Sequence, residues 1–443
     1  MATVSEVKTT LEHRGIEFLL ASFVEMTGAS KAKLVPATHI EDLATEGAGF
    51  AGFAVGEFGR GPHHPDMAAM PDLNSLTVLP WRPNVAWLAC NVHVEGAAWD
   101  YCPRTILDRV RARAAQEGYV YKYGVEPEFM LVKRTPSGIE LADPLDTLAR
   151  PCYDQRTLNR NLDFLTTLLR YMQDLGWDPY ANDHEDANCQ FEINWRFSEC
   201  MTTADRHTFY KYMVRALAEQ NGWAATFMPK PFSGLTGNGA HFHMSLWDTA
   251  TDRNLFLDEN DPNGLSEMAY HWIGGLKAHA RAYSAVTAPT VNSYKRLIVD
   301  APRSGATWAP VYITYGGNNR TQMIRLPGPG RVEHRAIDGA CNPYLAAAVT
   351  LAAGMDGVRR KLDPGPRNDR NLYETPRETL IKEGIGLLPA NLKEATDALE
   401  QDEVIVEALG AEYAEAYIRA KRDEWIRYHN TVSAWEVDQY LMG

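Results

Sequence analysis

The chain has 443 residues, 45% hydrophobic and 23% charged, with 44 basic against 57 acidic residues for a net charge of -13. That length can bury a large core and hold two or three domains. The acidic balance excludes nucleic acid or an anionic membrane as the expected partner and leaves small-molecule chemistry. No apolar run approaches the roughly 18 residues of a membrane span. The N-terminus Met-Ala-Thr-Val-Ser-Glu-Val-Lys lacks the basic and apolar regions of a signal peptide, so a cytoplasmic protein is expected. Cys90, Cys102, Cys152, Cys189, Cys200 and Cys341 show no paired spacing, which suits reduced thiols without an assigned function.

In chain order, residues 2 to 14 read as a polar helix. Ile16 to Met26 and Lys31 to Pro36 are strand-like runs joined by the turn residues Thr27 to Ser30, a predicted hairpin. A short helix over Thr38 to Thr45 precedes a glycine-rich loop from Gly47 to Gly61, and strands follow at Ser75 to Trp81 and Val85 to His93. Gly47, Gly49 and Gly52 fit Gly-x-Gly-x-x-Gly, but no apolar strand leads in and no helix follows, so a dinucleotide site is rejected. These elements make a small α+β domain. Pro103 opens a helix to about Gln116, and the boundary is placed between residues 102 and 103. Beyond it, Asp154 to Gln173 and Ala204 to Asn221 predict long helices, Pro343 to Met355 an alanine-rich core helix, and Arg377 onward a mostly helical end.

Tyr121 to Val132 reads as one strand with Glu126 and Glu128 on one face and Tyr123, Val125, Phe129 and Leu131 on the other. Two ionised carboxylates side by side are unfavourable unless a cation lies between them or one is protonated. An exposed edge strand, suggested by Pro127, explains this stretch alone as well as metal binding does. Three more strands repeat the pattern. Gln190 to Trp195 carries Glu192 shortly after His184 and Glu185; His241 to Leu246 puts His241, His243 and Ser245 on one face; Arg331 to Arg335 brings Glu333 between two arginines. Four such strands suggest a sheet curved around a charged interior. Five glutamates and a histidine without a thiolate suit Mg²⁺ or Mn²⁺. Lys295, Arg296, Arg320, Arg325, Arg331 and Arg335 supply complementary charge, as in a phosphoryl-transfer centre with an anionic substrate. No Gly-x-x-x-x-Gly-Lys-Ser/Thr loop is present, so a nucleotide would not be held by a P-loop.

Five motifs then occur in a fixed order: Gly-Val-Glu-Pro-Glu-Phe; His-Glu to Gln-Phe-Glu; Gly-Asn-Gly-Ala-His-Phe-His-Met-Ser-Leu; Asn-Ser-Tyr-Lys-Arg-Leu with Asn-Asn-Arg-Thr; and Arg-Val-Glu-His-Arg to Asn-Pro-Tyr-Leu. From about Glu17 to the C-terminus they resemble the glutamine synthetase family of ligases. The resemblance implies an α+β fold: a small β-grasp N-terminal domain and a larger catalytic domain with a curved antiparallel sheet flanked by helices. It implies ATP and two or three Mg²⁺ or Mn²⁺ ions per site, with Glu128, Glu185 and Glu192 on one metal and Glu126, His241 and Glu333 on a second. Arg296 and Arg335 would bind the glutamate carboxylates, Gly237 the glutamate backbone, Arg320 and Arg325 the phosphoryl group, and His243, Ser245, Phe197 and Arg331 the ATP. Glutamate would be phosphorylated by ATP and the acyl phosphate captured by an amine. The family usually assembles as two stacked hexameric rings with sites between subunits, so a homo-oligomer, a dodecamer, is expected. A non-catalytic ring protein is the rival from another class, but a scaffold has no physical reason to keep mutually repelling carboxylates.

One departure from the family pattern falls at the amine site. Glutamine synthetases proper hold ammonium with a small-domain aspartate, a tyrosine, a metal-site glutamate and a glutamate before Ala-Pro on a flap. Tyr153 and Glu185 match. The flap reads Ala306-Thr307-Trp308-Ala309-Pro310, with Trp308 in the glutamate's place, and the aspartate position falls near Gly52 to Ala54, with Glu57 as the nearest acid. Ammonium has four N–H donors, whereas an alkylammonium replaces one with an apolar group that gains from an aromatic wall. The segment through Gly-Asn-Asn-Arg-Thr resembles the branch of the family that joins methylamine to glutamate. Methylamine is therefore the expected nucleophile, ammonia the alternative. Asn371-Leu372-Tyr373 resembles a stretch that some bacterial members adenylylate, although an ordinary surface tyrosine near a turn reads the same way.

Overall fold

The computed structural model describes residues 2–55, 61–136, 138–299 and 308–443. Its N-terminal sheet runs in the order Ser30–Pro36, Phe18–Val24, Arg82–Val94, Met67–Pro71, Ala48–Phe50. The expected hairpin forms, with Gly28 at φ 87 in its turn, and Phe18–Val24 lies parallel to Arg82–Val94. Period-two alternation decides the packing. Leu19, Ala21, Phe23, Leu88, Cys90 and Val92 form one core with Val7 and Leu11 of helix Val4–Arg14 and with Ile40 and Leu43 of helix Ile40–Glu46. Val24, Val85, Trp87 and Ala89 face the other way and join the main core beside Ile106, Leu107 and Phe209. Helices across one face of a small sheet are the β-grasp arrangement expected. The small core ends at Cys102 while Ile106 belongs to the larger one, which supports the division we propose between residues 102 and 103.

Among the described residues, the catalytic part holds two sheets rather than one. A seven-stranded sheet runs Ser198–Glu199, Tyr119–Pro127, Ala240–Asp248, Arg331–His334, Gln322–Gly328, Tyr312–Gly316, Gly386–Leu387, and a five-stranded sheet runs Gly138–Leu141, Phe129–Thr135, Gln190–Trp195, Pro179–His184, with Ala224–Thr226 also on Phe129–Thr135. The predicted strand over 121–132 is two strands, one in each sheet. Pro127 has no N–H to continue the ladder, and the Glu128 N–H turns to the Gly239 carbonyl at 3.0 Å. Nor is Tyr119–Pro127 an edge strand, since Ala240–Asp248 and Ser198–Glu199 both pair with it. The antiparallel expectation fails at one place, where Tyr312–Gly316 runs parallel to Gln322–Gly328.

Helices cover the sheets. Pro343–Arg360 packs tightly on Glu267–Ala278: a Cβ on Gly275 would stand 2.1 Å from the Ala353 carbonyl oxygen, and one on Gly357 2.1 Å from that of His271. The helix expected over Asp154 to Gln173 is interrupted into Gln155–Arg160 and Leu162–Asp174. Asn161 sits between them at ψ 10, its side chain donating to the Thr157 carbonyl at 2.9 Å, a local bond that competes with the helical ladder. All six cysteines are free. Among the described residues no helix is long and apolar enough to cross a membrane.

Arg104 fastens the small sheet to the larger body. Only 5% exposed, it reaches Asp72 at 2.7 Å, Asn91 at 3.0 Å and Asp205 at 2.9 and 3.0 Å, and Asp205 also accepts from the Tyr344 hydroxyl at 2.7 Å. Truncating one member of a buried charged network strands the others. Arg104→Ala should cost about 3–5 kcal/mol, read as a lowered denaturant midpoint; a shift below about 1 kcal/mol would remove Arg104 from this role.

Candidate active site

Strand register sets the predicted residues in rows. His241 stands opposite Glu126, His243 opposite Glu333, and Glu333 opposite Arg325. Directly opposed residues share a face, so the polar sides of four strands line one cavity of about 950 Å³. His241 Nδ1 lies 3.5 Å from Glu126 Oε2 and 3.8 Å from Glu333 Oε1, and its Nε2 lies 3.7 Å from Glu128 Oε1. Among the described residues, two sets of candidate ligand atoms each fall within 4.8 Å of one another: Glu126 with His241 and Glu333, and Glu128 with Glu192 and His241. The first is the second-metal set expected. Glu185, expected beside Glu128 and Glu192, stands outside both sets but lines the same cavity.

Buried neighbours fix each acid. Glu128 Oε2 accepts from Gln190 Nε2 at 2.8 Å and from the Gly239 N–H at 2.7 Å. Glu192 Oε1 accepts from Asn194 Nδ2 at 2.8 Å, and Glu185 Oε2 from the Asp186 N–H at 2.9 Å. Behind Glu185, the fully buried His184 spans the Glu185 carbonyl at 2.7 Å and Asp146 at 2.8 Å. The Tyr153 N–H is tied to the His184 carbonyl at 2.9 Å, with Tyr153 at φ 62, a left-handed backbone uncommon for an aromatic residue.

The charges do not balance within the chain. Burial and neighbouring carboxylates push Glu185 and Glu192 well above the usual carboxylate range, and they push Asp183, opposite Glu192, up to about 6. Burial would also raise Glu126, but His243, with Nε2 3.0 Å from Glu126 Oε1, and His241 hold it well below. Burial of Glu333 is likewise overcome, first by Arg335, leaving it at about 2. Burial and Arg335 depress His241, which favours the neutral imidazole that a metal needs. An oxygen-rich cluster that must keep protons or take cations fits hard divalent ions.

Arginines line the cavity beside Glu333. Arg335 and Arg325 each donate to Glu333 at 2.6 Å, and Arg335 Nε, though buried, finds no partner among the described residues. Asn318 Oδ1 accepts from Arg325 Nε at 2.9 Å and Arg320 at 3.4 Å. Arg296 donates to the carbonyls of Arg335 at 3.0 Å and Ala336 at 3.4 Å. Gly237 has no room for a side chain, since a Cβ would meet the Pro229 carbonyl at 2.2 Å and Arg296 Cγ at 3.1 Å.

His243 and Arg331 are in the cavity wall, whereas Ser245 and Phe197 lie outside it. Those two meet at Trp247, whose Nε1 donates to Ser245 Oγ at 2.9 Å and whose ring centroid is 5.8 Å from that of Phe197, with Lys122 Nζ over it at 4.0 Å. Tyr153, Glu185 and Trp308 all line the cavity. Glu57, Ala306 and Thr307 lie outside the described residues, and Gly52 to Ala54 are not in the wall. Sequence reasoning missed Asp183, Asn194, Tyr180, Lys230, Lys122 and Trp247. Asp183 and Asn194 were readable, each two residues from a singled-out glutamate on a strand; the others carry no periodic signal.

Residues 100–440 match the family described as glutamine synthetase, catalytic domain, and the chain belongs to that family of ligases, which use ATP and divalent metals. Two relatives are each 47% identical. One is a glutamine synthetase of Rhizobium meliloti, over 97% of this chain and 98% of that one. The other is a glutamate–methylamine ligase of Methyloversatilis universalis, over 99% of each. A solved GmaS structure in complex with ADP superposes with a TM-score of 0.93 at 49% identity, covering 98% of this chain and 99% of that one. The expected family and fold are borne out.

A carboxyl with a raised pKa favours the protonated folded state, so its contribution to stability is present at low pH and lost as pH rises through that value. Asp183, Glu185 and Glu192 all act in that sense. Cations must displace those protons, so the rise in Tm given by Mg²⁺ should be larger at pH 8 than at pH 5.5. Glu192→Gln should shrink the rise. Thermal unfolding with and without MgCl₂ measures both, and an increment independent of pH would contradict the assignment.

Proposed function

We propose that the protein joins glutamate to methylamine at the expense of ATP, giving γ-N-methylglutamine, ADP and phosphate. The observation that carries this reading is Trp308, an aromatic side chain in the cavity wall where the family pattern puts a carboxylate. The 47% identity to a glutamate–methylamine ligase over 99% of both chains supports it. The same identity to a glutamine synthetase keeps ammonia as the second reading, which differs only in the nucleophile.

In the proposed mechanism a γ-carboxylate oxygen of glutamate attacks the γ-phosphorus of ATP, forming the acyl phosphate and releasing ADP. The amine nitrogen then attacks the acyl carbon and phosphate leaves. Arg296 and Arg335 orient glutamate by its carboxylates, with Gly237 against its backbone, and the partnerless Arg335 Nε supports that role. Arg320 and Arg325, steered by Asn318, face the phosphoryl group in transfer, where positioning and electrostatics supply most of the catalysis. Glu126, Glu128, Glu185, Glu192, His241 and Glu333 are the proposed holders of Mg²⁺ or Mn²⁺, which when bound would neutralise phosphate charge. His243 and Arg331 would meet the ATP phosphates, with Ser245 and the Phe197–Trp247 surface at the far end of the nucleotide. Tyr153 and Glu185 frame the ammonium end of the amine, Trp308 faces its methyl group, and Glu185 accepts the proton lost on attack.

We also propose a homo-oligomer, a dodecamer of two hexameric rings, with the amine pocket completed by a second copy. Two observations support it. Among the described residues, the cavity wall takes none from the small sheet's domain. Helix Ala434–Tyr440 buries none of its residues and leaves Trp435 and Tyr440 exposed, with Leu441 beyond it.

The test is kcat/KM for methylamine and for ammonia on one preparation, with glutamate and ATP saturating. Methylamine should be preferred, and Trp308→Glu should move the ratio toward ammonia by about tenfold, the equivalent of roughly 1.4 kcal/mol of lost cation–π contact. Activity should rise on the alkaline side, because an alkylammonium with a pKa of about 10.4 is almost wholly protonated at neutral pH. A parent that prefers ammonia would overturn the methylamine reading. A ratio unmoved by the substitution would remove Trp308 from it.

A further inference from the structure

The segment from Asn368 to Tyr373 contributes no residue to the cavity wall, yet it is bonded to two of the segments that bring side chains there, those of Arg320 and of Trp308. At one end it carries the loop of Asn318 and Arg320. The Asn368 carbonyl accepts from Asn319 Nδ2 at 3.2 Å and Gln322 Nε2 at 2.9 Å, the Arg370 carbonyl accepts from Asn319 Nδ2 at 2.8 Å, and Asp369 Oδ1 accepts from the Gly317 N–H at 2.8 Å. The Leu372 N–H donates to Thr321 Oγ1 at 3.3 Å. At the other end the Tyr373 hydroxyl donates to the Ala309 carbonyl at 3.0 Å, which also accepts the Val311 N–H at 3.0 Å. Ala309 is buried, while Trp308, one residue before it, is 40% exposed and faces the cavity. The Tyr373 ring rests near Tyr312, with centroids 6.3 Å apart. Burial raises the ionisation of its phenol, so the hydroxyl stays a donor at neutral pH.

We propose that Tyr373 is a positioning residue for the amine: by holding the Ala309 carbonyl, its hydroxyl sets where the Trp308 ring stands in the cavity wall. The inference rests on the reading of Trp308 as the amine's neighbour. A tyrosine used in this way is not the ordinary surface tyrosine that its sequence context allows. The ring and the hydroxyl have separable roles. Phenylalanine keeps the packing on Tyr312 and leaves Ala309 bonded to Val311, removing one bond and nothing else.

Tyr373→Phe should therefore raise the KM for methylamine about five- to tenfold, the range expected for one lost hydrogen bond. The kcat and the KM for glutamate and ATP should stay within about twofold, and Tm should barely move. In a Trp308→Ala background the same change should add nothing to the amine KM, because the residue through which Tyr373 acts is gone. The proposal is overturned by an unchanged amine KM, by parallel shifts in every substrate's KM together with Tm, or by effects of the two substitutions that simply add. If the parent prefers ammonia, the methylamine reading fails alone: a selective rise in the ammonia KM, coupled to Trp308, would still support Tyr373.

Discussion

The catalytic half is arranged around like-charge repulsion. Glu126, Glu128, Glu185, Glu192 and Glu333, with Asp183 beside them, face one cavity, and at least three of these groups are forced toward their protonated forms. Such a cluster is costly to fold, so the frame that holds it must be stiff. The fold answers with ladder bonds on both sides of Tyr119–Pro127, a corner at Pro127 where the chain changes sheets, and glycines at 237 and 239 where any Cβ would collide with the wall. The repulsion then acts as stored preference for divalent cations, since a bound cation replaces protons that the folded state would otherwise have to retain.

The charge is divided along the cavity. Near Glu333 the chain supplies its own counter-ions, with Arg325 and Arg335 each at 2.6 Å, and the carboxyl ionises readily. Near Glu185 and Glu192 it supplies almost none, and the protons stay on. Glu185, which the proposed mechanism asks to take the amine's proton, can do so only once a bound cation has displaced its own, and Tyr153 stands beside it. Separation of carboxylate environments lets one cavity bind anions at one end and take up a proton at the other.

The site was legible in the sequence to the extent that period-two alternation could carry it. Glu126, His241, His243 and Glu333 occupy the polar faces of three short strands that antiparallel register converts into one, and Glu192 reaches the same cavity from the polar face of a strand in the second sheet. Glu128 was assigned to the right cavity for an incomplete reason. It does not share a strand with Glu126; it reaches the same space because the chain turns at Pro127, and alternation carries no information about a turn that keeps two carboxylates together. The short strands Ala48–Phe50 and Met67–Pro71 and the parallel pairing of Tyr312–Gly316 were illegible because they depend on partners distant in sequence, while the interruption at Asn161 turns on one local side-chain bond that helical periodicity does not register. Ser245 and Phe197 show the same limit. Resemblance picked them out, but it could not supply Trp247 and Lys122, which give the two a common surface.

Specificity is the level at which fold and family say least, because a glutamine synthetase and a glutamate–methylamine ligase are each 47% identical to this chain. What remains is the chemistry of one wall. A carboxylate there would stabilise a fourth N–H donor, while an indole stabilises a methyl group and still attracts the positive charge through its face. An indole ring is useful only at a fixed position, whereas a carboxylate acts through a longer-ranged field and tolerates displacement. On the proposed reading, Trp308 in an acid's place puts a geometric demand on the backbone beside it, and that demand falls on Ala309, the buried residue whose carbonyl is already bonded from two directions.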